Sequence, residues 1–180
     1  MTSAQIAAWG IAAVLLFWAV GAYNRLVSLR NDIARAFTPV DAQIRQRHRL
    51  IAQWVEALRP ALHDAVVLDG VIAASGQLQA ACDVVRGRPS AARPMASLRL
   101  AEETLGDARE RVRNELPSRP EQLARLGVAE LAEELAHADS TLGFARRQFN
   151  QATQHYNDAL AQFPTWLIAG LFGFRGAGTL

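Results

Sequence analysis

From Thr2 to Asn24 the chain has no charged side chain and its positions are mostly apolar, with Trp9, Phe17, Trp18 and Tyr23 among them. Wound as a helix at about 1.5 Å per residue, such a stretch crosses the roughly 30 Å hydrocarbon core of a bilayer. Residues 1–22 are therefore read as a transmembrane anchor. Polarity changes at Arg25, and Arg30, Arg35, Arg45, Arg47 and Arg49 follow, whereas no Lys or Arg precedes the apolar run. The excess of positive charge after the span places the body in the cytoplasm and the short N-terminus outside. Val20-Gly21-Ala22 has the small residues that a signal peptidase accepts. A cleaved signal carries a basic leader, however, and here the helical pattern continues past the junction, so an uncleaved anchor is expected.

Beyond the anchor the apolar positions keep a helical period. From Val128 to Phe163 they recur at steps of three and four: Val128, Leu131, Leu135, Ala138, Leu142, Ala145, Phe149, Ala152, Tyr156, Ala159 and Phe163. A heptad seam sustained that long predicts one helix packed nearly parallel to a neighbour, ended by Pro164. The partner seam starts at Leu26, Leu29, Ile33, Ala36 and Val40, becomes polar at Gln43 and Arg47, and turns apolar again at Leu50, Trp54 and Ala57. Polar groups in a seam either fix its register or rotate toward water, and rotation is the preferred reading here. Pro39 is expected to kink or break this helix, because its ring removes a donor and crowds the preceding turn. Two shorter helices, Ala61–Val85 and Ala91–Glu115, are expected between the long ones, separated by Arg86-Gly87-Arg88-Pro89-Ser90. Ser118 to Gly127 reads as a turn with a short helical piece.

No alternating Val/Ile/Thr-rich segment is present, so strands are not expected. The fold class is all-α, an N-terminal transmembrane helix continuing into an antiparallel, elongated four-helix bundle over residues 23–163, with 164–180 as an apolar tail. Antiparallel pairing of the long helices brings Asn157 level with Arg30 and Asn31, and Arg146 and Asn150 level with Pro39 and Asp41. An ion pair between Asp41 and Arg146 is a consequence, worth under about 1 kcal/mol at a surface.

Composition narrows the function. The formal charge is only +2, every cation is Arg and none is Lys, which describes a nearly balanced chain and not a nucleic-acid-binding one. The single Cys82 excludes an intramolecular disulfide and reads as a small buried apolar residue. His48, His63, His137 and His155 have no second ligand at metal spacing, and His63-Asp64 is a bare dipeptide. Glu102-Glu103 and Glu133-Glu134 are adjacent on helices and so point apart. Gly170, Gly173 and Gly176 follow no strand, so they form no phosphate loop. No catalytic residue, metal site or cofactor is assigned. Asn24 and Asn31 are seven apart, as are Asn150 and Asn157, each pair lying along one helical stripe beside the seam. With Asp41 and Arg146 they form a candidate polar ladder that sets interhelical register or meets a partner.

After Pro164 the tail is too short to span a bilayer and too apolar to stand in water. Either Trp166, Leu167, Ile168, Leu171, Phe172 and Phe174 enter the membrane interface with Arg175 at the headgroups, or the tail folds back on the bundle or into a subunit contact. Two blocks carry a family resemblance. Tyr23-Asn24-Arg25-Leu26-Val27-Ser28-Leu29-Arg30-Asn31, with Ala36-Phe37 and Val40-Asp41-Ala42-Gln43-Ile44, is one. Ala145-Arg146-Arg147-Gln148-Phe149-Asn150, Tyr156-Asn157, Phe163-Pro164 and Ile168-Ala169-Gly170-Leu171-Phe172-Gly173-Phe174 is the other. Together they resemble the LemA family of bacterial membrane proteins. Arg49 and Ala52 stand where that family usually has an acidic residue and a proline, and its acidic-aromatic segment is not recognisable over Pro117–Arg125, so the chain reads as a divergent member.

The resemblance implies a single-span helical bundle at the bacterial inner membrane, with a cytoplasmic body, no established enzymatic activity, and relatives linked to membrane organisation. The expected function is a non-enzymatic scaffold or interaction protein, engaging the lipid bilayer and an unidentified protein partner. The alternative is a self-associating, homo-oligomeric membrane-remodelling or pore-associated protein. A third reading assembles an enzyme site from scattered residues such as His63, Asp64 and Glu102.

Overall fold

The computed structural model describes residues 2–62, 65–116 and 127–180, and the ordered elements among them are all helices: α1 Ser3–Leu58, α2 Ala65–Gly87, α3 Ala92–Glu115, α4 Val128–Ala161 and α5 Thr165–Leu171. The order long, short, short, long agrees with the apolar periodicity. His63-Asp64 and the turn expected before Gly127 lie outside the described residues, apart from Gly127 itself.

α1 has two halves of different character. Its large apolar residues from Ile6 to Val20 are exposed, and none of its most apolar window is buried in the protein. From Ala22 onward the same helix lays a stripe into the core through Leu26, Ile33, Phe37, Val40, Ile44 and Ile51. Helical hydrogen bonds continue through Pro39, so the expected break does not occur. Both Pro39 and Arg35, whose carbonyl loses its donor, are exposed, and water reaches that side of the helix.

α1 packs most extensively on α4, α2 on α3, and α1 also on α2. The antiparallel register of the long pair is fixed at three levels. The charge of Arg30 acts on the Tyr156 hydroxyl, the Phe37 and Phe149 rings meet edge-on at 5.8 Å, and Arg47 Nε lies 3.0 Å from Asp139. Each step forward on α1 is matched by an equal step back on α4, as the pairing expected from length requires. α3 buries Met95, Leu98, Leu105 and Val112, a heptad stripe that closes the core from the other side.

α2 is also long and apolar enough by composition to cross a membrane, with a third of its apolar window buried. Its inward residues Leu68, Val71, Leu78, Cys82 and Val85 belong to the common core. Three details of the seams differ from expectation. Phe163 is exposed, because α4 ends at Ala161 and the chain turns at Pro164. Ile44 replaces Gln43 in the core, leaving the glutamine half-buried. Arg47 does not rotate outward but stays buried, because two carboxylates wait for it inside.

Candidate functional site

The tail folds back along the bundle. After α5, Gly173 turns the chain with φ +70, a left-handed conformation that suits glycine, and residues 174–180 run without helix beside α4. Asn157 Nδ2 donates to the Ala177 carbonyl at 3.0 Å, and Asn157 Oδ1 accepts from the Ala177 amide at 2.8 Å. Asn150 makes the same pair of bonds with Leu180, at 2.7 and 2.8 Å. Seven residues of helix rise about 10.5 Å, and three residues of extended chain cover about 10 Å. The heptad spacing of the two asparagines therefore matches the 177-to-180 step of the tail. Tyr156 Oη donates to the Arg175 carbonyl at 3.0 Å just before the Ala177 clamp on the tail, and burial raises the Tyr156 hydroxyl despite the opposing charge of Arg30.

Opposite α4 the tail meets the start of α3. A Cβ on Gly178 would lie 3.0 Å from Ala92 Cα, so only glycine lets the two backbones approach this closely. At the level of Tyr23, that ring packs against Phe172 at 5.0 Å and Phe174 at 5.6 Å. Tail, α1, α3 and α4 are thus joined where α1 leaves its exposed apolar segment.

Two ionic clusters tie the helices together further down. Asp41, 5% exposed, accepts hydrogen bonds from Arg86 at 2.6 and 3.1 Å and from Arg45 at 2.6 Å, and the Cys82 thiol lies 3.3 Å away. Burial pushes the Asp41 carboxyl up, but bonds from Arg86 and Cys82 and the charges of Arg86 and Arg45 outweigh it and hold the group below its ordinary value. Burial first, then the bond to Asp41, pushes the Cys82 thiol up to about 12. The second cluster joins Arg47 to Glu102 at 2.6 Å and to Asp139, which also holds Arg109 at 2.9 Å. Arg47 Nε is close to Asp139 but not aligned for a hydrogen bond.

The candidate ladder is therefore corrected in its role. Asn150 and Asn157 do not face α1 but clamp the tail. Asn24 and Asn31 are exposed and form no interhelical bond among the described residues, although Asn31 lines a cleft beside the tail. The expected Asp41–Arg146 pair is absent, because Asp41 faces α2 and its arginine, not α4. Of the tail residues, Ile168 is buried and Phe174 packs on the core, whereas Trp166, Leu167, Leu171, Phe172 and Arg175 are exposed. Among the described residues no three His, Cys, Asp or Glu converge on one point, and Glu102 is engaged by Arg47.

Sequence reasoning missed the cleft itself. It has a volume of about 1130 Å³ and opens beside Tyr23, walled by α1, the tail and the α2–α3 turn. Arg88 was legible only as part of the break at Pro89, and Arg93 only as a position in the expected third helix, since nothing local relates them to Arg30 or Arg175. The family model described as the LemA family matches residues 36–179. No curated protein matches the chain.

Proposed function

Because the chain belongs to the LemA family, we propose that it is a membrane-anchored, non-enzymatic scaffold whose helical body stands at the cytoplasmic face of a bacterial membrane and presents its long helices to a protein partner. The observation that carries this reading is the continuity of α1, one helix of 56 residues whose exposed apolar half runs into the core of the bundle. A flexible linker lets a domain wander, whereas a continuous helix transmits the tilt and rotation of a span to the body. Arg25 and the arginines after it support a cytoplasmic body. The outward face at the same end supports contact with the bilayer, since Phe163, Trp166, Leu167 and Leu171 are exposed there.

The test is cysteine labelling of intact cells in a Cys82→Ser background, with single cysteines at Ser3, Ser140 and Thr179, of which Ser140 and Thr179 are exposed on the folded body. Labelling from outside at position 3 alone is the expected result. Free labelling at position 140 would invert the topology and remove the intracellular scaffold.

A further inference from the structure

We infer that the cleft beside Tyr23 is a binding site for the phosphate headgroup of an anionic glycerophospholipid in the leaflet that faces the bundle. The inference rests on the reading that α1 is a membrane anchor.

Charge makes the first argument. Arg30 from α1, Arg88 from the α2–α3 turn, Arg93 from the first turn of α3 and Arg175 from the tail all line the cleft, and among the described residues no Asp or Glu lines it. Elsewhere Arg35, Arg45, Arg47, Arg59, Arg86, Arg109 and Arg113 each pair with a carboxylate. Among the described residues none of the four cleft arginines does; Arg25, Arg49, Arg99, Arg111, Arg146 and Arg147 share that state, so what sets the four apart is their convergence on one cleft. Four like charges from four separate segments raise a concentrated positive potential in a concave site, which a phosphate relieves and to which guanidinium geometry is suited.

The backbone adds to it. α3 begins at Ala92, its N-cap Ala91 supplies no side-chain cap, and its first turn holds no acidic residue, so no carboxylate offsets the positive dipole end that borders the cleft. Pro94 sits in that first turn, where a missing amide proton is no loss.

Depth makes the last argument. Tyr23 ends the apolar stretch, and Arg30 is seven residues further along the same helix, about 10 Å. The headgroup layer is roughly 5–7 Å thick on each side of the hydrocarbon core. Long arginine side chains reach back across such a difference, so the cleft opens into the layer where phosphates reside. Tyr23 and the exposed Phe172 flank its mouth as an aromatic rim, the side-chain type enriched at that level.

The experiment uses the full chain in neutral detergent, titrated with phosphatidylglycerol, phosphatidylcholine or soluble glycerol 3-phosphate, with bound lipid counted by native mass spectrometry. Phosphatidylglycerol is expected to bind saturably at one site, at least 10-fold tighter than phosphatidylcholine. Arg30→Gln combined with Arg93→Gln is expected to weaken it at least 10-fold, while the charge-matched Arg49→Gln with Arg99→Gln leaves it unchanged. Equal losses in both variants, or no preference between the lipids, would overturn the site. Glycerol 3-phosphate binding as tightly as the lipid would replace the membrane ligand by a soluble phosphate ester. Flotation of the same protein with vesicles separates the two readings: a chain that does not float refutes the anchor, whereas one that floats but shows no selective binding refutes only the cleft.

Discussion

Asn157→Ala isolates the clamp on the tail. The substitution removes two hydrogen bonds, of 3.0 and 2.8 Å, and leaves the Ala177 amide and carbonyl without their partner. At about 0.5–1.5 kcal/mol net per bond, the docked tail loses roughly 2 kcal/mol relative to the undocked one, about a 30-fold change in that equilibrium. Global stability changes less, because the core stripes of α1 and α4 are untouched. Residue-resolved hydrogen exchange on the full chain reads the local event. The Ala177 amide is expected to exchange about 30-fold faster and the Leu180 amide to follow it, while amides inside α4 keep their protection. Asn157→Asp retains the acceptor for the Ala177 amide but turns a carboxylate toward the Ala177 carbonyl, so it should release the tail at least as readily as the alanine. Asn24→Ala, at an exposed position seven residues before the equally exposed Asn31, should change nothing. Unaltered protection at Ala177 in the Asn157→Ala chain would refute the clamp.

Other consequences follow from the ionic clusters. Arg47→Ala strands Glu102, whereas Asp139 keeps Arg109, and because the Glu102 side chain keeps 20% of its exposure the loss belongs at the low end for a broken buried pair, about 3 kcal/mol in urea unfolding; a change below about 1 kcal/mol would mean that water already serves it. Cys82, its thiol pushed up to about 12, should resist a disulfide-exchange reagent at pH 8 until the protein unfolds, so fast labelling of the native chain would contradict the burial described here. The Asp41 carboxyl is held below the 3.8 of an ordinary aspartate, so the unfolded chain takes up the proton first as the pH falls. Its contribution is complete above that ordinary value and is lost as the pH drops through the lower folded one. Wild type is thus expected to exceed Asp41→Asn in stability by a constant margin from pH 7 to 5, a margin that shrinks below about pH 4; a margin unchanged down to pH 2 would show that ionisation of Asp41 is not its source.

Periodicity carried the architecture because it reports one quantity, the direction in which each residue faces. The steps of α4 from Val128 to Ala159 and the end of that helix before Pro164 were legible for this reason, and so was its antiparallel level with α1. The partners of polar residues were not. Arg47 looked like a seam defect until Glu102 arrived from α3 and Asp139 from α4, far away in sequence. Asp41 was matched to the right level of α4, but which flank of α1 it occupies depends on where α2 lies. The spacing of seven between Asn150 and Asn157 puts both on one stripe of α4, yet a stripe on a helix does not say whether its occupant is another helix or an extended tail. The match between seven helical residues and three extended ones becomes visible only with the tail in place.

The clamp and the cleft are parts of one device, since the tail that Asn150 and Asn157 hold also supplies Phe174, Arg175 and Gly176 to the cleft wall. A ligand seated there binds the docked tail and not the released one, and it must therefore favour docking by the free energy of its own binding. At a free concentration 100 times its dissociation constant that is about 2.7 kcal/mol, enough to offset the roughly 2 kcal/mol removed by Asn157→Ala. Phosphatidylglycerol is accordingly expected to slow exchange of the Ala177 amide about 100-fold in the wild type and to restore near-native protection in Asn157→Ala. In the Arg30→Gln, Arg93→Gln chain, whose tail clamp is intact and whose affinity is at least 10-fold weaker, the same lipid concentration should slow exchange by no more than about 10-fold. Undiminished slowing in that chain would place the lipid's effect somewhere other than the cleft. On the proposed reading of α1 as a membrane anchor, the coupling has a directional meaning. The end of the bundle proposed to lie nearest the bilayer would become ordered when its arginines find lipid phosphate, and the long helices would then be held at a defined orientation to the surface from which they extend.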